Sequence, residues 1–192
     1  MIATHQQNES DRDLIKAVAR EDTAAFERLY HLYEKRVYQY VRTLIDDYSI
    51  AEDVVIETMT AVWRGAANYA QTSRVSTWIF GIARHKALDA LRKPSSRKEN
   101  VSLDEAVELP GRLDGPIETM NRTQVAGIMQ KALKKLSRDH QEIMRLVFYE
   151  EMPYEEIASL LSIPENTVKT RVYHAKRQLK QLLDTFTRQG AL

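Results

Sequence analysis

The sequence predicts an all-α protein built as two small helical domains joined by a flexible linker. Three observations carry this expectation. Apolar residues recur at spacings of three and four along both ends of the chain. Only 6 glycines and 5 prolines occur among 192 residues, too few for a fold of many short strands and turns. Pro94, Pro110 and Pro116 fall in one stretch with Gly111, Gly115 and the polar run from Ser95 to Asn100, across which no helical period survives. The chain therefore divides into 1–93, a linker over 94–121, and 122–192. A structureless loop of about 28 residues inside one compact domain would be unusual.

Each helix follows from local chemistry. Ser10 is placed to cap a short helix over Asp11–Arg20, with Asp13 three residues on. Asp22 can cap a longer helix to about Leu44, whose inward stripe is Phe26, Leu29, Tyr30, Tyr33, Val37, Tyr40 and Val41. Ser49 with Glu52 reads as a capping box opening a third helix, with Val55, Met59, Val62 and Trp63 inward. Ser76 is expected to open a fourth, in which Ile79, Ile82, Ala83, Ala87, Ala90 and Leu91 face one way, until Pro94 ends it.

The C-terminal part repeats the pattern. Val125, Ile128, Met129, Ala132, Leu133 and Leu136 form one amphipathic stripe. Ser137 can cap a second helix burying Ile143 and Val147, and a third spans roughly Tyr154–Leu161. The turn Ser162-Ile163-Pro164 leads into a helix from Glu165 to about Leu183, with Val168, Val172, Ala175, Leu179 and Leu182 inward.

Composition excludes several classes. Cysteine is absent, which removes disulfides, thiolate metal sites and cysteine nucleophiles. The five histidines are scattered without metal-ligand spacing, and neither a phosphate-binding glycine loop nor a serine elbow occurs. No apolar run approaches the ~18 residues of a membrane span, and Met1–Asp13 is too polar for a secretory signal, so a cytoplasmic protein is expected. The net charge of +1 hides an asymmetry: residues 122–192 hold 12 basic side chains against 8 acidic ones.

That excess concentrates on one motif. A short helix, a three-residue turn and a second helix over Tyr154–Leu179 match a helix-turn-helix. Because the apolar stripe of the second helix is continuous, Thr167, Thr170, Arg171, His174, Arg177 and Gln178 share its opposite face. Short hydrogen-bonding side chains near a helix start approach base edges, and cations further along meet phosphates. Asn166, Thr167, Lys169, Thr170, Arg171, His174 and Arg177 are the candidate contacts; a plain solvated basic face is the simpler reading, which the turn and the small Ala158 argue against.

A second basic segment runs from Arg74 to Lys93, preceded by the polar loop Asn68-Tyr69-Ala70-Gln71-Thr72-Ser73. Aromatic rings beside cations suit single-stranded bases, which stack while the cations follow the backbone. The candidates are Asn68, Tyr69, Ser73, Arg74, Ser76, Trp78, Arg84, His85 and Arg92, although composition alone favours Trp78 as core. Glu52, Asp53 and Glu57 gather near the start of the third helix, where carboxylates suit the helix dipole. They serve either as caps or as an acidic docking face for a basic partner.

Together the segments AEDVVIETMTAVWR (51–64), STWIFGIARHKALDALRK (76–93) and YEEIASLLSIPENTVKTRVYHAKRQL (154–179) resemble bacterial sigma factors of the extracytoplasmic-function group. The resemblance implies a region 2-like bundle over 1–93 and a region 4-like helix-turn-helix over 122–192. It implies that Glu52, Asp53 and Glu57 dock on RNA polymerase core, with the β and β′ subunits as the partners. The 68–78 loop with the helix after it would open and read the −10 element, and the Asn166–Arg177 helix would read the −35 element as duplex DNA. An anti-sigma factor is a further implied partner, and no cofactor is. The chain departs from the usual residues at Ile56, His85 and Ser162, where Gln, Asn and Gly are common.

The expected function is promoter recognition for RNA polymerase, without catalysis by this chain. The rival is a helix-turn-helix regulator that binds operator DNA alone. It leaves the N-terminal basic helix and its polar loop unexplained, as does a protein that only docks other proteins.

Overall fold

A computed structural model describes residues 2–93 and 127–188, with side chains described over 10–93 and 127–186. The expected linker over 94–121 lies outside these residues, as does Val125. The described parts are helical: α1 (Ile2–Val18), α2 (Thr23–Leu44), α3 (Tyr48–Gly65), a single 3-10 turn (Ala66–Asn68) and α4 (Val75–Arg92). Then follow α5, described over 127–134, α6 (Arg138–Phe148), α7 (Tyr154–Leu161) and α8 (Glu165–Arg188).

The helix starts show which local signals act. Asp22 caps α2, its carboxylate accepting from the Ala25 amide at 2.9 Å. Ser137 caps α6 through the His140 amide at 3.3 Å. Three expectations are corrected. The α1 helix continues upstream of Ser10, so Ser10 is interior and not a cap. Asp47 opens α3, accepting from the Ile50 amide at 3.0 Å, which leaves Ser49 inside the first turn. At α4 the capping position is Arg74, without a side-chain cap, and Ser76 is already helical. An aspartate two residues ahead of a serine competes for the same amides, and sequence cannot rank them.

Packing follows the apolar stripes. Leu29, Tyr33, Val37, Tyr40 and Val41 of α2 are buried, as are Val55, Met59 and Val62 of α3 and Ile79, Ala83 and Ala87 of α4. Phe80, outside the expected stripe, is fully buried and meets the Tyr40 ring edge-on at 5.2 Å. Leu91, expected inside, is exposed. The Tyr33 hydroxyl donates to the buried Asp11 carboxylate at 2.5 Å, which fastens α1 to α2.

The two halves also pack on each other: α2 lies against α6 and α4 against α7, and the buried apolar residues of both join in one cluster. At the turn before α8, Ser162 adopts the left-handed conformation with φ 56°. Its amide and that of Ile163 satisfy the last α7 carbonyls, at Ser159 and Ala158.

Candidate nucleic-acid interface

The helix-turn-helix presents its second helix outward. Asn166, Lys169, Thr170, Tyr173, His174 and Arg177 are exposed, while Val168, Val172 and Ala175 are buried beneath them. Thr170 donates to the Asn166 carbonyl at 2.9 Å, and Lys169 pairs with Glu165 at 2.7 Å. Arg171 leans toward α6, with Nη1 3.0 Å from an Asp139 carboxylate oxygen. Gln178 is not on the outward face as expected: its amide oxygen lies 3.1 Å from His140 Nδ1 of α6. Tyr173, which the helical spacing puts at the flank of this face, is 62% exposed and stands edge-on to His174 at 5.4 Å.

The N-terminal loop is held from inside. The Tyr69 hydroxyl donates to the Ser73 carbonyl at 2.5 Å, and its ring lies 5.0 Å from that of Trp78. Burial raises the Tyr69 phenol above its ordinary pKa. Trp78 is half-buried against the core. A Cβ on Gly65 would meet its ring at 3.3 Å, so glycine there allows the end of α3 to approach the indole. Trp78 thus supports the loop, while Asn68, Ala70, Gln71 and Thr72 are exposed. Ser73 and Ser76 are half-buried.

The polar side chains of α4 and its start divide into two groups. His85 and Arg92 are exposed and both approach Asp89, at 3.2 Å each. Arg84 is a candidate contact of the same basic segment. It turns to the other half instead, its Nε donating to Glu142 of α6 at 3.0 Å. Arg74 pairs with Glu156 of α7 at 3.4 Å, and Thr77 donates to the same carboxylate. A cleft of about 880 Å³ opens between α4 and α7, with Trp78, Gly81, His85 and Lys86 on one wall and Glu155 and Ser159 on the other.

On α3, Glu52, Asp53 and Glu57 are exposed together with Ile56, which is 58% exposed. Lys86 reaches Glu57 at 3.5 Å. Three carboxylates around an exposed isoleucine combine charge with apolar area, a composition that suits docking onto a basic surface with an apolar centre. Among the described residues, no three His, Asp or Glu side chains gather as a metal site, and no helix is long and apolar enough to cross a membrane.

The family model for sigma-70 region 2 matches residues 29–97, and that for sigma-70 region 4 matches residues 126–179. The RNA polymerase sigma-H factor of Pseudomonas aeruginosa is 25% identical over 189 residues, covering 95% of this chain and 98% of that protein. The extracytoplasmic-function sigma factor SigW of Bacillus subtilis is 26% identical over 181 residues, covering 88% of this chain and 95% of SigW. Two solved structures share the fold. CnrH in complex with the cytosolic domain of CnrY has a TM-score of 0.62 at 21% identity, covering 92% of this chain and 98% of that one. The sigma factor RpoE in complex with the anti-sigma factor NepR from Bartonella quintana has a TM-score of 0.61 at 23% identity, covering 83% and 96%.

A chain that carries both regions in this order, helical over its described residues, belongs to the sigma-70 family. Within that family, it belongs to the extracytoplasmic-function sigma factors.

Proposed function

We propose that this chain directs RNA polymerase core to a set of promoters, with each surface in its own role. The exposed acidic side of α3 (Glu52, Asp53, Ile56, Glu57) docks on core. The 68–74 loop and α4 take the single-stranded −10 element, and the outward face of α8 reads the −35 element in the major groove. Phosphodiester chemistry belongs to the polymerase; this chain contributes binding free energy that selects the site and favours strand opening.

The observation that carries the reading is the coincidence of two surfaces with the two matched regions. Exposed hydrogen-bonding and cationic side chains on α8 lie within 126–179, and the loop with α4 lies within 29–97. An operator-binding regulator needs only the first. An anti-sigma protein is a third partner class, on the strength of the family relationship.

Transcription with purified core on genomic fragments tests the proposal. Initiation from discrete sites that depends on this chain is the expected result. Tight binding of a palindrome by the chain alone, with no initiation from any fragment, would favour the regulator reading.

A further inference from the structure

The loop assigned above to the −10 strand is flanked by a helix that precedes the segment matched as region 2. The α1 helix lies ahead of residues 29–97 and packs against the 3-10 turn that leads into this loop. The bond from Tyr33 to Asp11 fixes the rotation of α1. Arg12, about 100° further round the helix, is thereby brought to Tyr69. Burial raises the Tyr69 phenol, and the Arg12 guanidinium opposes that rise by its charge and by a hydrogen bond. The hydroxyl also donates to the Ser73 carbonyl, so it ties both α1 and the far end of the loop to one ring, which rests on Trp78. Between these anchors, Gln71 is held at φ 56°, a conformation that costs an L-residue free energy.

Stability alone does not account for an arginine at this place. Its Nε is buried and has no hydrogen-bond partner among the described residues. A desolvated N–H left unpaired is unfavourable, and an apolar side chain of similar length would avoid the cost.

We propose that Arg12 is a positioning residue for the −10 strand: it pins the Tyr69 hydroxyl to α1 and so keeps the loop in the shape that turns Asn68, Gln71 and Thr72 to solvent. This inference rests on the promoter reading above and adds to it a residue from outside the matched region. Arg12 acts through Tyr69 and does not itself touch the strand.

The test uses holoenzyme reconstituted with purified core, a fluorescent single-stranded oligonucleotide carrying the −10 sequence of a promoter it initiates from, and the matching −35 duplex. Arg12→Met keeps the length and packing of the side chain and removes its donors. Strand binding should weaken about fivefold, the size of one net hydrogen bond, with −35 duplex binding unchanged. Tyr69→Phe keeps the ring and should lose a similar factor. The double variant should bind no more weakly than Tyr69→Phe alone, because both changes break the same link. Arg12→Lys, which retains a donor and the charge, should recover part of the loss.

Unchanged strand binding by Arg12→Met overturns the inference. So do losses that multiply in the double variant, which would mean that Arg12 meets the strand directly. A marked fall in urea stability, or an equal loss of −35 binding, would make Arg12 a structural residue only and also overturns it. Failure of the wild-type holoenzyme to bind the strand or to initiate is a separate result: it removes the promoter reading, and this inference with it.

Discussion

Arg171 of the recognition helix and Asp139 of α6 form an ion pair, Nη1 to Oδ2 at 3.0 Å. The carboxylate aims the guanidinium along the edge of the outward face and also competes with DNA for it. Arg171→Ala is expected to weaken −35 duplex binding by holoenzyme by about 1–3 kcal/mol if the guanidinium reads a base. If it touches phosphate alone, the loss is similar across sequences and the salt slope becomes shallower. Asp139→Asn, which frees the guanidinium, should tighten binding at low salt. Unchanged affinity and salt slope in both variants would remove Arg171 from the interface.

Ser162 is an L-residue held at φ 56° at the end of α7. Glycine adopts this conformation without steric cost, so Ser162→Gly should stabilise the fold by about 1 kcal/mol. The amide bonds to Ser159 and Ala158 remain, since both use backbone groups. Urea unfolding measures the change, and a loss of stability would show that the serine side chain supports the turn.

The start of α3 offers a paired measurement. Asp47→Ala removes the cap on the Ile50 amide and should cost about 1 kcal/mol. Ser49→Ala, inside the first turn, should stay within about 0.5 kcal/mol. The reverse ranking in thermal denaturation would restore the capping box to Ser49 and Glu52.

Alkaline pH should act through Tyr33 and Tyr40. Burial is the largest cause that raises both phenols, with the Asp11 carboxylate acting in the same direction on Tyr33 and the Glu142 carboxylate on Tyr40. Arg36 opposes the rise at Tyr33, as Arg84 does at Tyr40. A raised pKa means that the folded state keeps its proton longer than the unfolded chain. Their contribution is therefore complete below about pH 10, the ordinary tyrosine value, and declines as pH rises beyond it. Urea midpoints between neutral pH and pH about 11 should fall, and Tyr40→Phe should flatten that fall. An equal slope in wild type and variant would rule out Tyr40 as a source.

The sequence by itself determined the helices, the helix-turn-helix and, Gln178 apart, the side of α8 that faces outward. These depend on contacts three or four residues apart, so the period of apolar residues and the caps at Asp22 and Ser137 carry them. Its errors at Ser10, Ser49 and Ser76 are also local: neighbouring polar residues compete for the same amides, or the helix simply continues. Only the tertiary structure decided that Arg84 turns to Glu142 and Arg36 to Glu150. Those partners are 58 and 114 residues apart. A charged residue opposite an apolar stripe looks the same in sequence whether it meets water, DNA or a distant carboxylate. The choice depends on how whole helices pack, and helical periodicity holds no record of it.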